Sequence, residues 1–252
     1  MGKILVGENI IKSFGEGKEK RNILDGVSIK IEEGEFLSVM GPSGSGKSTL
    51  MYVLSGMDNG ESGKVIFADK DLMKLSENEL ADLRRTKMGF VFQQPSMLKN
   101  LNILDNIILT SIRSNKKNIK EITKKGKGLM EKTGLAGLEE REVSQVSGGQ
   151  LQRAGICRAL MNNPKILFGD EPTGALNSKA AEEIMDIFKS INEEGTTIVL
   201  VTHDAKVAAK TERVLFLSDG KIVNELNLAK YTGNLIDERI EKVNNVMRKV
   251  GI

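Results

Sequence analysis

The chain has 252 residues, 39% hydrophobic and 28% charged, enough for one large domain with a full core and an inserted subdomain. The 37 basic residues against 34 acidic ones leave a net charge of +3, too balanced for nucleic acid to be the main partner. A single cysteine, Cys157, excludes an internal disulfide framework and fits a reducing compartment.

The longest apolar runs, such as 198–201 and 214–217, are only four or five residues, far short of the roughly 18 that a spanning helix needs. The opening MGKILVGENI lacks a secretory apolar region and a small-residue cleavage site, so a cytosolic chain is expected. Position 6 is neither Ser nor Thr, so the myristoylation pattern also fails. A membrane role is therefore expected to come through a partner.

In chain order, residues 4–6 and 27–31 read as short strands, and EEGEF at 32–36 places a turn before the strand 36–40. A glycine-rich loop follows, then a helix over 49–55 and further strands at 65–67 and 88–92. From Pro95 to about Leu160 the pattern turns helical, with a Lys/Asn/Gly-rich stretch at 114–128 expected as a surface loop or frayed helix edge. Strand-like runs return at 166–168, 198–201 and 214–217, with a helix over 179–192 between the first two. Strands alternating with helices at both ends, around a helical block, predict a parallel-sheet α/β core holding an inserted helical subdomain.

The glycine loop reads GPSGSGKST, from Gly41 to Thr49, between a strand and a helix, which is the setting of a phosphate-binding loop. Gly41 and Gly46 are expected to supply backbone conformations closed to other residues, so that successive N–H groups converge on a phosphate. Lys47 brings a point charge toward the β- and γ-phosphates and Ser48 a hydroxyl to Mg²⁺. Ser43, Gly44, Ser45 and Thr49 complete the expected nucleotide-binding segment.

In KILFGDEPT an apolar strand ends in adjacent carboxylates, Asp170 and Glu171, free to diverge toward a metal's water shell and an attacking water. Alone, such a pair reads as a solvated turn; the phosphate loop upstream gives it something to act on. His203, the only histidine, closes the run TTIVLVT beside that strand; a lone histidine is more often structural than chemical. The run VSGGQ offers Ser147, Gly148, Gly149 and Gln150 at a helix start, where free N–H groups and a hydroxyl suit a γ-phosphate.

These strings, in this order, resemble those of the ATP-binding-cassette (ABC) ATPases, over about residues 4–223. The resemblance implies a P-loop NTPase of ABC type: a RecA-like parallel-sheet core, an N-terminal antiparallel β subdomain and an inserted α-helical subdomain at about 95–160. The ATPase domain would occupy 1–230, with a helical extension at 231–252. ATP and Mg²⁺ are the implied ligands, with Asp170, Ser48 and Gln93 toward the metal. Glu171 is implied as general base, His203 as γ-phosphate contact, and Gln93, with Gln94 as the weaker candidate, as sensor of metal and water. Phe14 stands where an aromatic ring stacks on adenine, although a core role fits it nearly as well. Asn177 departs from the family's aspartate, keeping an acceptor and losing the charge, which puts cross-site contacts in doubt rather than ATP binding.

The same resemblance implies two cassettes dimerised head to tail around ATP, Ser147–Gln150 of each serving the other's nucleotide, at the inner face of the membrane on a separate permease. MGPSGSGKST, MGFVFQQ and GDEPTGALNSK are most similar to cassettes of macrolide- and peptide-antibiotic exporters and lipoprotein-release systems. A complex that regulates a cell-wall enzyme, or senses antibiotics without moving cargo, is the alternative. Within PSMLKNLNILDNIIL, Met97 and Leu98 are candidates for contact with the permease, the rest reading as subdomain core. Ile236, Ile240, Val243, Met247 and Val250 form an apolar seam on a charged helix, which docks either on its own core or on a partner.

Overall fold

The computed structural model describes residues 2–114 and 118–251. In chain order the strands are β1 (Lys3–Phe14), β2 (Arg21–Glu32), β3 (Phe36–Met40), β4 (Ser62–Phe67), β5 (Lys70–Asp71), β6 (Met88–Phe92), β7 (Ile166–Asp170), β8 (Thr197–Thr202), β9 (Arg213–Ser218) and β10 (Lys221–Asn227). The helices are α1 (Lys47–Leu54), α2 (Glu77–Lys87), α3 (Ile103–Ser114), α4 (Ile119–Lys132), α5 (Gly148–Leu160), α6 (Ser178–Glu193), α7 (Ala205–Ala208) and α8 (Ile236–Lys249).

Six strands form the main sheet in the order β10-β9-β3-β8-β7-β6, parallel except for the antiparallel β9–β10 pair. Its central strands are mostly apolar because both faces are covered: every residue of β3 and β8 is buried, including Ser38, Thr197 and Thr202. The order places the C-terminal ends of β3, β8, β7 and β6 side by side, where open α/β sheets leave their binding crevice. A second sheet, β2-β1-β4-β5, is antiparallel. In β2 burial alternates through Val27, Ile29 and Ile31, the period of a strand with one solvated face. Leu50, Met51, Val53 and Leu54 of α1 join one core with Leu24 and Phe67 of this sheet and Val39 and Val201 of the other. The helix after the glycine loop is thereby fixed from both sides.

α3, α4 and α5 enclose a separate core of Ile103, Leu104, Ile107, Ile108, Met130 and Cys157. The stretch 114–128 expected as a loop or frayed edge is a correction: from Ile119 it is α4, while residues 115–117 lie outside the described residues. Gly126 is the reason. A Cβ there would stand 2.7 Å from Ile108 Cγ2 and 3.0 Å from Leu104 Cδ1, so this glycine lets α4 lie close on α3 instead of breaking the helix. Burial pushes the Cys157 thiol up to about 11, so it sits there as an inert apolar filler.

The carboxy-terminal seam docks on the chain's own core. Val243 is fully buried, and Ile236, Ile240, Met247 and Val250 pack with Ala208, Val214, Phe216 and Leu228. Arg239 locks α8 in place, donating to the carbonyls of Ala209 at 2.6 Å, Ala229 at 2.7 Å and Thr211 at 2.7 Å. Deleting residues 234–252 should therefore lower the melting temperature of the isolated chain by about 5 °C or more, since it exposes Phe216 and strands three carbonyls. An unchanged thermal scan would show that this packing contributes nothing.

Candidate nucleotide site

The loop after β3 turns where no side chain fits. A Cβ on Gly41 would lie 2.1 Å from the Leu217 carbonyl oxygen, so Gly41 is required for space; the left-handed turns belong to Gly44 (φ 79°) and Gly46 (φ 101°). That corrects the conformational role expected for Gly41. Gly46 then caps α1, which begins at Lys47 rather than at Thr49.

Phe14, Ser43, Gly44, Lys47, Ser48 and Thr49 line a cleft of about 730 Å³ with Ile23, Gly46, Glu171 and His203. The Lys47 side chain is nearly buried, donating to the carbonyls of Gly41 at 2.9 Å and Pro42 at 2.8 Å. Burial pulls its ammonium below the usual range, against the opposing pull of Glu171 and Asp170. Neither carbonyl neutralises the charge, so an anion in the cleft would. The unneutralised Lys47 charge fits a bound phosphate chain, whereas the buried Ser45 hydroxyl, which has no hydrogen-bond partner, lies outside the residues lining the cleft.

Parallel pairing of β6, β7 and β8 places Phe92 opposite Asp170 and Asp170 opposite Val201, so Gln93, Glu171 and His203 stand beside or just beyond three strand ends. Ser48 donates to Asp170 Oδ1 at 2.9 Å and the Tyr52 hydroxyl to Oδ2 at 3.1 Å. Burial pushes the Tyr52 phenol up, and Asp170 adds to it. A serine hydroxyl and a carboxylate oxygen side by side are hard donors of the kind Mg²⁺ takes beside phosphate oxygens. Glu171 holds a left-handed backbone (φ 46°), rare for a side-chain-bearing residue, with its N–H bonded to Val201 O at 2.9 Å. His203 Nδ1 lies 3.1 Å from Glu171 Oε1, and because a carboxylate only accepts, the imidazole donates. Gln93 is the third member: a Cβ on Gly174 would meet its Nε2 at 2.9 Å and Glu171 Oε2 at 3.3 Å.

Phe14 is 52% exposed, which removes it from the core and leaves one ring face open while Lys12 sits 5.1 Å over the ring centroid. Ser147, Gly148, Gly149 and Gln150 do not line this cleft. They open α5 as a closed capping box, Ser147 N–H donating to Gln150 Oε1 at 2.7 Å and Gln150 N–H to Ser147 Oγ at 3.3 Å. Asn177 caps α6, its Oδ1 accepting the Ala180 N–H at 2.9 Å; this acceptor function is one that asparagine shares with aspartate. Tyr52 and Ile23 were absent from the sequence expectations. For Tyr52 the signal was available, because Ser48 and Tyr52 lie four apart on one helix face.

Between β6 and the helical subdomain runs a second groove, about 350 Å³, lined by Met57, Arg84, Phe90, Phe92 and Arg158 among others. Met97 and Leu98 are not part of it. Met97 packs into the subdomain core beside Gly155, whereas Leu98 is 48% exposed.

A buried lysine and a helix-capping glycine facing two strand-end carboxylates define an α/β phosphate-loop NTPase. The family model described as ABC transporter matches residues 24–174. The lipoprotein-releasing system ATP-binding protein LolD of Aquifex aeolicus is 44% identical over 226 residues, covering 90% of this chain and 99% of its own. The macrolide export ATP-binding/permease protein MacB of Aggregatibacter actinomycetemcomitans is 40% identical over 212 residues, 84% of this chain, which spans only 33% of that protein. The dimeric post-hydrolysis structure of the ATP-binding cassette MJ0796, bound to ADP and Pi, superimposes with a TM-score of 0.83 at 38% identity, covering 90% of this chain and 100% of that one. The chain belongs to the ABC transporter family, as one of its ATP-hydrolysing cassettes.

Proposed function

We propose that two copies of this chain close head to tail on ATP and drive a separate membrane permease that exports a lipophilic or antimicrobial compound. One observation carries the composite site: Lys47, Ser48, Glu171 and His203 share a cleft, while Ser147–Gln150 stand outside it at the start of α5. The Gly148 and Gly149 N–H groups in the first turn of that helix lack intrahelical partners and can meet the γ-phosphate held by a second copy.

In this reading the loop from Ser43 to Thr49 and Lys47 bind the phosphates, and Phe14 offers its open face to the base. Ser48 and Asp170 would hold Mg²⁺ with Gln93 nearby; the ion, when bound, neutralises charge on the phosphate oxygens. Glu171 takes the proton from the water whose oxygen forms the new bond to the γ-phosphorus, as the bond to the ADP oxygen breaks. His203, donating to Glu171, sets the direction of that carboxylate and reaches the γ-phosphate. Asn177 keeps its cap while bringing no charge to the face between copies.

No helix among the described residues is long and apolar enough to cross a membrane, and LolD matches this chain over nearly its whole length as an ATP-binding protein without a permease in its name. Both support a cytoplasmic subunit held peripherally by its permease. The names of LolD and MacB support a lipophilic or antimicrobial cargo. The groove beside Phe90 is suited to a short helix from that permease. Leu98, outside that groove, sits on a fixed loop: buried Asn106 accepts the Leu98 N–H at 2.7 Å and donates to its carbonyl at 3.0 Å.

Charge at Leu98 tests the coupling. Leu98→Glu should leave the ATPase of the isolated chain within about twofold, as expected for an exposed position, and reduce permease-stimulated turnover and transport. Met97→Glu should instead destabilise the chain itself. Equal loss of isolated and coupled activity in Leu98→Glu would show that the position serves the chain itself and remove it from the partner surface.

A further inference from the structure

The Asp170 carboxylate is gripped on both oxygens by one helix. Because α1 begins at Lys47, Ser48 and Tyr52 fall one turn apart on the same face. Their hydroxyls take different atoms, Ser48 on Oδ1 at 2.9 Å and Tyr52 on Oδ2 at 3.1 Å. A carboxylate held this way cannot rotate about its terminal bond without losing one of the two. The grips are unequal in duty. The Ser48 oxygen also serves as a metal donor in the proposed site, whereas Tyr52 lies outside the residues lining the nucleotide cleft. The Tyr52 ring packs against the core that α1 shares with both sheets, and the Tyr52 carbonyl accepts from the N–H groups of Met57 at 2.9 Å and Asp58 at 3.2 Å. Ring and backbone are both fixed, so the hydroxyl is a preset point.

We propose that Tyr52 is a positioning residue for Asp170, its hydroxyl fixing the rotation of the carboxylate and so the strength with which the site takes a divalent cation together with nucleotide. The proposal rests on Asp170 as the Mg²⁺ partner. Outer donors of this kind orient the groups that serve a metal, and their loss typically weakens metal affinity by about tenfold or more. A donor also draws charge from a carboxylate, so an inductive effect alone would make its removal tighten the site. The two effects have opposite signs.

The test is a Mg²⁺ titration of ATP binding to the full chain, measured calorimetrically in wild type, Tyr52→Phe, Asp170→Asn and the double variant, with thermal scans establishing that each is folded. Tyr52→Phe keeps the ring and removes one hydroxyl. It should bind ATP in EDTA as wild type does, and need about tenfold more Mg²⁺ for half-maximal enhancement. Turnover at saturating Mg²⁺ should stay close to wild type. The double variant should bind no more weakly than Asp170→Asn alone, because Tyr52 acts only through that carboxylate. An unchanged or lowered Mg²⁺ requirement in Tyr52→Phe, beside a clear loss in Asp170→Asn, would overturn the positioning role alone. Equal weakening of Tyr52→Phe with and without Mg²⁺ would overturn it as well, showing damage to the loop. No loss in Asp170→Asn would overturn the metal assignment itself, and the proposal with it.

Discussion

Glu171→Gln should bind ATP with Mg²⁺ as tightly as the wild-type chain and hydrolyse it at least about 100-fold more slowly, within the range for losing a general base. The geometry explains the size of the effect. Glu171 follows the last residue of β7 in a left-handed backbone, with its N–H tied to β8 and its carboxylate to His203. Glutamine keeps the length and one acceptor for the His203 N–H, so the cleft should hold its shape while the proton acceptor is gone. Stalled before hydrolysis, the variant should accumulate as an ATP-dependent dimer on gel filtration. Turnover near the wild-type rate would remove Glu171 from the role.

Lys47→Ala and Ser147→Arg should both abolish turnover, by different routes. Lys47 is a nearly buried ammonium held by two carbonyls of its own loop, so its removal takes away the charge that the phosphates meet. Charge-assisted hydrogen bonds contribute about 1.5–3 kcal/mol each, so ATP affinity should fall by at least about tenfold. Ser147 lies outside that cleft, at the exposed start of α5. Ser147→Arg should therefore leave ATP binding to the monomer nearly intact while blocking the dimer. If its monomer binding fell as far as that of Lys47→Ala, the composite site would be wrong.

The chemistry was legible in the sequence because each motif is local: a glycine loop between strand and helix, two carboxylates ending an apolar strand, a histidine ending the next. The largely apolar β3, β7 and β8 were legible for the same reason, since a strand covered on both faces shows no regular polar side. What escaped depended on contacts distant in sequence. α4 was missed because Gly126 reads as a breaker when its contacts with Leu104 and Ile108 are unknown. The same blindness made Gly41 a matter of backbone freedom, when the Leu217 carbonyl leaves it no room. Tyr52 meets Asp170 across 118 residues, and its place one turn after Ser48 is the only local sign of the pairing. For α8 the seam was plain and its destination was not; the buried Arg239 and the apolar residues Val214 and Phe216 of β9 decide it.

The central claim, that each site is shared between two copies, is tested most directly by mixing two inactive variants. In a mixed dimer of Lys47→Ala and Ser147→Arg, one site carries both lesions and the other carries neither. Each mixed dimer then carries one intact site of its two, so the ATPase per mixed dimer formed should return to about half of the wild-type dimer's rate at most. Each variant alone should stay inactive at the same total concentration. A mixture as inactive as its components, with mixed dimers demonstrably formed, would place Lys47 and Ser147 in the same site of one chain and contradict the account.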